Sequence, residues 1–197
     1  MIHYEREVKE PELISAMLDE MDHVHIGMFD EDGYPYVVPL NFGYEIKDNK
    51  LYIYTHFSKR GHKLELLRKN SKVCAQFSIF NDFPDRPYKK HRHDYRSVIA
   101  KGKMNIIDYK EDSETYTHGY NLLYTCNHIE IVPLESRKVI PPMYIGMIIC
   151  EMDQVTAKSE FPLRKVEDVP FVNVYDMPFD ETPFDISDII EKRRKGL

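Results

Sequence analysis

The chain has no tryptophan, so tyrosine and phenylalanine supply all of its aromatic side chains. Its three cysteines, Cys74, Cys126 and Cys150, are odd in number and far apart. They form neither a disulfide framework nor a CxxC pair, and free buried or half-buried thiols are expected. No apolar run approaches the ~18 residues of a membrane span. The opening MIHYEREVKEPEL is charged and lacks an apolar core, so it does not read as a secretory signal. A cytoplasmic protein is expected. Positive charge is also in short supply: the formal net charge is -6. That argues against a general nucleic-acid binder, yet a local basic patch can still serve a small anion. The G-x-S-x-G elbow, the P-loop and the G-x-G-x-x-G fingerprint are missing, so hydrolase and nucleoside-triphosphatase readings have no support. Internal repeats and low-complexity tracts are absent.

What remains is an ordinary globular composition, with 42% apolar and 30% charged residues. Its 197 residues suffice for one domain with a core, plus a tail. Pro11 suits a first helical position, and Leu13, Ile14, Met17, Leu18 and Met21 make one stripe, which predicts a helix from Pro11 to Asp22. HVHIGMF reads as a strand and DEDG as a hairpin turn. YPYVVPLNFGYE reads as a second strand, at an edge or bulged where Pro39 cannot donate a ladder bond. KDN turns into a third strand, KLYIYTH. The stretch KRGHKLELLRKN reads as a helix that Asn70 can end. KVCAQFSIFN is a fourth strand, DFPDRPYKKHRH a proline-rich basic loop, and YRSVIAKGKMNIID a long fifth strand with Gly102 as a bulge position. A helical stretch (KEDSETYTHGYNLLYTC, weakened by Gly119) and an irregular one (NHIEIVPLESRKVIPP) precede a sixth strand, MYIGMIICEMDQVTA. Short strands at hairpin spacing predict a mainly β fold, an antiparallel barrel with flanking helices. It would span residues 1–158, with residues 159–197 as an extended tail that packs on the body or a partner and ends in a short helix near SDIIEKRR.

The helix after the third strand raises a question of charge. Lys59, Arg60, His62 and Lys63 crowd its start, where a helix already carries partial positive charge. Ser58 is a candidate cap, Gly61 allows close approach to the backbone, and the free amides of a first turn bind anions, above all phosphate. Lys63 adds a point charge and Arg60 a fork. The placement makes sense once a phosphate sits among the cations. A solvated basic helix face, continued by Arg68, Lys69 and Lys72, is the competing reading.

The order GMFDEDGYPYVVPLNFGYE, LYIYTHFSKRGHKLELLRKN, KVCAQF, YRSVIAKGKMNIID resembles the flavin-binding split-barrel superfamily, which includes the pyridoxamine phosphate oxidases. Within it the chain is most similar to the nitroimidazole-resistance (Nim-like) flavoproteins. The resemblance spans roughly Asp19 to Asp108, with the sixth strand less clear. It implies a Greek-key split barrel, a homodimer and FMN at the dimer interface. Where the oxidases carry YTN…SRK around the flavin phosphate, this chain has YTH…GHK. Thr55 and His56 would then border the flavin and Lys63 would bind the phosphate, with His62 in place of an arginine. Val38, Pro39, Leu40 and Asn41 would run along the isoalloxazine ring. The oxidases' RQV…G strand corresponds to RSVIAKG, which makes Arg96 and Ser97 cofactor candidates, reaching across the dimer. YVVPLN lacks the oxidases' cation, and their C-terminal motif with tryptophan is missing, so pyridoxamine phosphate oxidase activity is not expected.

The expected function is that of an FMN flavoprotein, an oxidoreductase passing electrons from a nicotinamide donor to a small acceptor such as a nitroaromatic. His56, the candidate catalytic residue, would orient substrate or supply a proton near neutral pH, or else only pack at a strand end. A flavin or haem binding protein without turnover, and a structural dimer with a degenerate pocket, are the alternatives. No metal site is expected. His91 with His93, Cys126 with His128 and Glu130, and His23 with His25 are clusters too small to complete a ligand set.

Overall fold

The structure is a computed structural model. It describes residues 6–81, 94–136, 141–160, 163–164 and 184–185. The proline-rich basic loop with His91 and His93, and the helix expected near SDIIEKRR, lie outside the described residues.

In chain order the elements are β1 (Glu7–Val8), α1 (Pro11–Asp19), β2 (Val24–Phe29), β3 (Pro35–Leu40), β4 (Phe42–Lys47) and β5 (Lys50–Ser58). Then come α2 (His62–Lys69), β6 (Lys72–Asn81), β7 (Asp94–Ile107), α3 (Ser113–Cys126), β8 (Met143–Glu151) and β9 (Val155–Ser159). β10 (Leu163–Arg164) and β11 (Phe184–Asp185) follow. Hydrogen-bonded neighbours run in the order β3-β2-β6-β7-β8-β5-β4. The fold is mainly antiparallel β with three helices, and the non-sequential neighbours β2–β6 and β5–β8 fit the split barrel that the sequence predicts.

The chain divides into two compact units. The first comprises Met1–Met21, Ser78–Val98 and Thr156–Leu197. In it α1 opens on Pro11 and buries Ile14, Ala16, Met17 and Leu18. β1 pairs antiparallel with β9, Glu7 opposite Lys158 and Val8 opposite Ala157. Arg6 reaches the Tyr95 hydroxyl and the Glu160 carboxylate, each at 3.1 Å.

The second unit comprises Asp22–Phe77 and Ile99–Val155. β2 alternates, burying Val24, Ile26 and Met28. Its hairpin partner β3 is an edge strand, one of the two placements expected from Pro39, with Pro39 opposite His25. The strand expected from Tyr34 to Glu45 is interrupted at the exposed Asn41, giving β3 and β4. Asp48 and Asn49, both with positive φ (51° and 57°), form the two-residue turn between β4 and β5. Asp112 caps α3 by accepting from the Thr115 amide (2.9 Å). Gly43 and Gly119 let that helix lie directly on the strands. A Cβ at Gly43 would come within 2.5 Å of the Leu122 backbone, and one at Gly119 within 2.6 Å of the Tyr54 ring. Tyr54, Tyr116, Tyr120, Leu123 and Ile145 pack into one core cluster there. Gly102, expected at a bulge, marks a close approach: its Cβ would sit 2.3 Å from the Ile149 carbonyl oxygen.

Candidate functional site

The candidate site forms where β5 hands over to α2, entirely within the second unit. β5 pairs with β8 along its whole length, ending with Ser58 opposite Met143. Ser58 therefore belongs to the strand and does not cap α2, which corrects the sequence expectation. The cap position is Gly61, with φ 118°, and no side chain among the described residues caps the helix. Strand pairing outweighs the local capping preference of serine, and glycine supplies the left-handed turn that follows. The Gly61 carbonyl accepts from the amides of Leu64 (3.0 Å) and Glu65 (3.3 Å). The amides of His62 and Lys63 precede these first bonds and face outward from the helix start.

The four cations divide into two pairs by role. Lys59 donates to Asp108 at 2.5 Å and lies 4.8 Å from the Tyr144 ring centroid, tying the loop to the end of β7. The Lys59 hydrogen bond holds the Asp108 carboxyl below its ordinary range. His62 bonds Asp30 of the β2–β3 turn at 2.6 Å and meets the Tyr36 ring edge-on, 5.1 Å between centroids. These two are struts. Arg60 is exposed and forms no ion pair with a described residue. Lys63 is half-buried, lies 5.1 Å from the Phe57 ring centroid and meets no carboxylate among the described residues. Burial lowers its pKa.

Beside Lys63 stands His56. Although the residue as a whole is exposed, its ring gives up enough hydration to lower its pKa, and the Lys63 charge lowers it further. The ring is therefore held toward its neutral form. Thr55, next in the strand, is fully buried, and its hydroxyl finds no partner among the described residues. Val38 and Leu40 are half-buried opposite Ile26 and Val24, whereas Pro39 and Asn41 are exposed.

Arg96 and Ser97 belong to the first unit. Arg96 is 1% exposed and its guanidinium pairs with Glu20, and Ser97 is half-buried beside it. Cys126, His128 and Glu130 share no strand face: Cys126 closes α3 and His128 has φ 55°. His23 and His25 do meet, edge-on at 4.9 Å, with His23 hydrogen-bonded to Asp22. Among the described residues no group of three or more His, Cys, Asp or Glu is placed to hold a metal.

Sequence reasoning missed the carboxylates that seat the struts. Asp30 lies 32 residues from His62, and Asp108 lies 49 from Lys59. It also missed a second polar cluster, in which Glu45 accepts from the Tyr54 hydroxyl and bonds His118, both at 2.9 Å. Burial pushes the Glu45 carboxyl up, but the His118 and Tyr54 hydrogen bonds outweigh it and the net shift is downward. Only proximity in the fold reveals these pairs.

No curated protein matches the chain. Solved structures do. A candidate 5-nitroimidazole antibiotic resistance protein from Bacteroides thetaiotaomicron VPI-5482 is 25% identical with a TM-score of 0.60, over 78% of this chain and 86% of its own. The flavocytochrome Anf3 from Azotobacter vinelandii is 17% identical with a TM-score of 0.58, over 97% and 94%. The FAD and haem binding protein from Mycobacterium smegmatis is 14% identical with a TM-score of 0.57, over 93% and 97%. The sequence profile of the pyridoxamine 5'-phosphate oxidase family matches residues 10–134, and with that match the chain belongs to this family.

Proposed function

We propose that the chain binds FMN at the β5–α2 junction and serves as an FMN-dependent oxidoreductase. The observation that carries this reading is Lys63: a half-buried cation without a carboxylate partner among the described residues, next to a helix start that no described side chain caps. A desolvated cation in that position gains most from a phosphate. Lys63, Arg60 and the amides of His62 and Lys63 would hold the phosphate, with the Ser58 hydroxyl at the mouth of the junction. Val38, Pro39, Leu40 and Asn41 would lie along the ring, and Thr55 and His56 would border it. We assign Arg96, buried on Glu20, to the fold and not to the flavin.

The flavin supplies hydride and electron transfer; this chain supplies position and local charge. His56, held neutral, would accept or pass a proton beside the substrate. The likeness to the Bacteroides protein supports a nitroaromatic acceptor. A homodimer with flavin at the interface is part of the proposal. Phe29, Tyr34 and Val37 on the β2–β3 hairpin are 67%, 75% and 53% exposed, an apolar surface that suits a second copy.

A second reading has its own support. The flavocytochrome and the FAD and haem binding protein match 97% and 93% of this chain. It predicts a flavin or haem carrier without turnover on a nicotinamide donor. An anaerobic absorption spectrum of the FMN-loaded protein separates the two. Bleaching of the flavin band by NADH or NADPH, and its return with a nitroaromatic, supports the oxidoreductase. A band that persists favours the carrier, and failure to take up FMN removes both flavin readings.

A further inference from the structure

Helix α2 is fastened to the β2–β3 turn at both of its ends. His62, its first residue, bonds Asp30 at 2.6 Å, and Lys69, its last, reaches Glu31 at 2.7 Å. Seven residues make about two turns, so both contacts fall on one helix face. Asp30 is set in place independently of the helix. Its Oδ1 accepts from the Glu31 amide (2.7 Å), its carbonyl accepts from Gly33 (3.4 Å), and its side chain is only 15% exposed. Tyr36 of β3 packs against the imidazole in an edge-to-face contact. The carboxylate is thus positioned in advance, and the histidine at the helix start docks on it.

We propose that Asp30 and His62 form a proton-operated latch that sets the anion affinity of the α2 start. With His62 protonated, the Asp30 charge is neutralised and an anion at the amides of His62 and Lys63 is favoured. With His62 neutral, the Asp30 charge stands uncompensated beside that anion and repels it. The proposal rests on the reading of this helix start as the phosphate end of a flavin site. Asp30 and His62 are positioning residues in it; neither touches the reacting part of the flavin.

The charges around the imidazole support the direction. Asp30 and Asp32 come from the turn and Glu65 from the helix itself, and all three act on the imidazole; Glu31 pairs with Lys69 at the far end of the helix, and Arg60 and Lys63 are the cations flanking His62 in sequence. The Asp30 hydrogen bond, aided by the charges of Glu65 and Asp32, raises the His62 pKa above its ordinary 6.5. A raised histidine keeps its ion pair in full below 6.5 and loses it as pH climbs through the raised value. The phosphate itself becomes a dianion only above about pH 6. Anion affinity should therefore rise to a maximum and then fall, and the alkaline fall belongs to His62. For exposed charges a few ångströms apart in water, that fall is on the order of three- to tenfold at low salt.

The test is FMN affinity of the full chain from pH 6 to 9, measured by flavin fluorescence, alongside an NMR titration of His62. Wild type should lose affinity on the alkaline side, less so in high salt. His62→Gln should keep the acid-side rise that belongs to the phosphate but level off at the weak value with no alkaline fall, since Asp30 is never neutralised. Asp30→Asn should bring the His62 midpoint back down and move the fall in affinity to lower pH with it, so that above about pH 8 the variant binds FMN more tightly than wild type. A missing alkaline fall in wild type, or one that survives in His62→Gln, overturns the latch while the flavin reading stands. If His62 titrates as expected but FMN and inorganic phosphate both leave its midpoint unmoved, the phosphate assignment fails and the latch fails with it.

Discussion

Lys63 carries its ammonium 5.1 Å from the centroid of the Phe57 ring, with no carboxylate beside it among the described residues. The aromatic face offsets part of the lost hydration but does not neutralise the charge. A phosphate would. Lys63→Ala should weaken FMN binding about 10- to 100-fold, the worth of one charge-assisted hydrogen bond, while Lys63→Arg retains part of it. Isothermal titration reads the difference. The melting temperature without ligand should hold or rise slightly, because a desolvated cation has been removed.

His56 should titrate below its ordinary 6.5, from burial first and Lys63 second. The sign follows from proton linkage. Between the lowered value and 6.5 the folded chain binds fewer protons than the unfolded one, so stability is full above 6.5 and declines as pH falls. His56→Gln should remove that part of the decline. The comparison is thermal unfolding of both proteins from pH 5 to 8, and identical slopes would contradict it.

Arg96 offers a contrast, because its guanidinium is buried against Glu20. Removing one partner of a buried pair strands the other charge, at a cost of about 3–5 kcal/mol. Arg96→Ala should therefore unfold at much lower denaturant concentration. FMN affinity of the remaining folded protein should change little. A stable variant that has lost FMN would return Arg96 to the flavin site.

Much of the fold was legible in the sequence because its signals are local. DEDG and KDN demanded turns, Pro11 started a helix, Asn70 ended one, and Pro39 placed its strand at an edge. The errors arose where distant pairing overruled a local preference. Ser58 read as a cap until pairing with β8 drew it into β5. One strand read through Asn41 where there are two. Gly119 read as a weakness in α3, but the ring of Tyr54 requires it. In the candidate site, the crowd of cations at the start of α2 was visible. Which of them are struts was not visible, because Asp30 and Asp108 are remote in sequence.

The same close approach gives a prediction for Gly43. A Cβ there would meet the backbone of Leu122 at 2.5 Å, and backbone cannot turn aside as a flexible side chain can. Gly43→Ala should destabilise by about 1–3 kcal/mol through overpacking. Chemical denaturation measures it, and a neutral result would mean that α3 shifts freely on β4.

If the start of α2 holds a phosphate through Lys63, the phosphate should account for the preference of the site for FMN. The most direct measurement compares FMN with riboflavin, which lacks the phosphate, in wild type and in Lys63→Ala. FMN should bind wild type much more tightly than riboflavin does, and most of that gap should close in the variant. Equal binding of FMN and riboflavin by wild type, or a gap that Lys63→Ala leaves intact, would contradict the assignment.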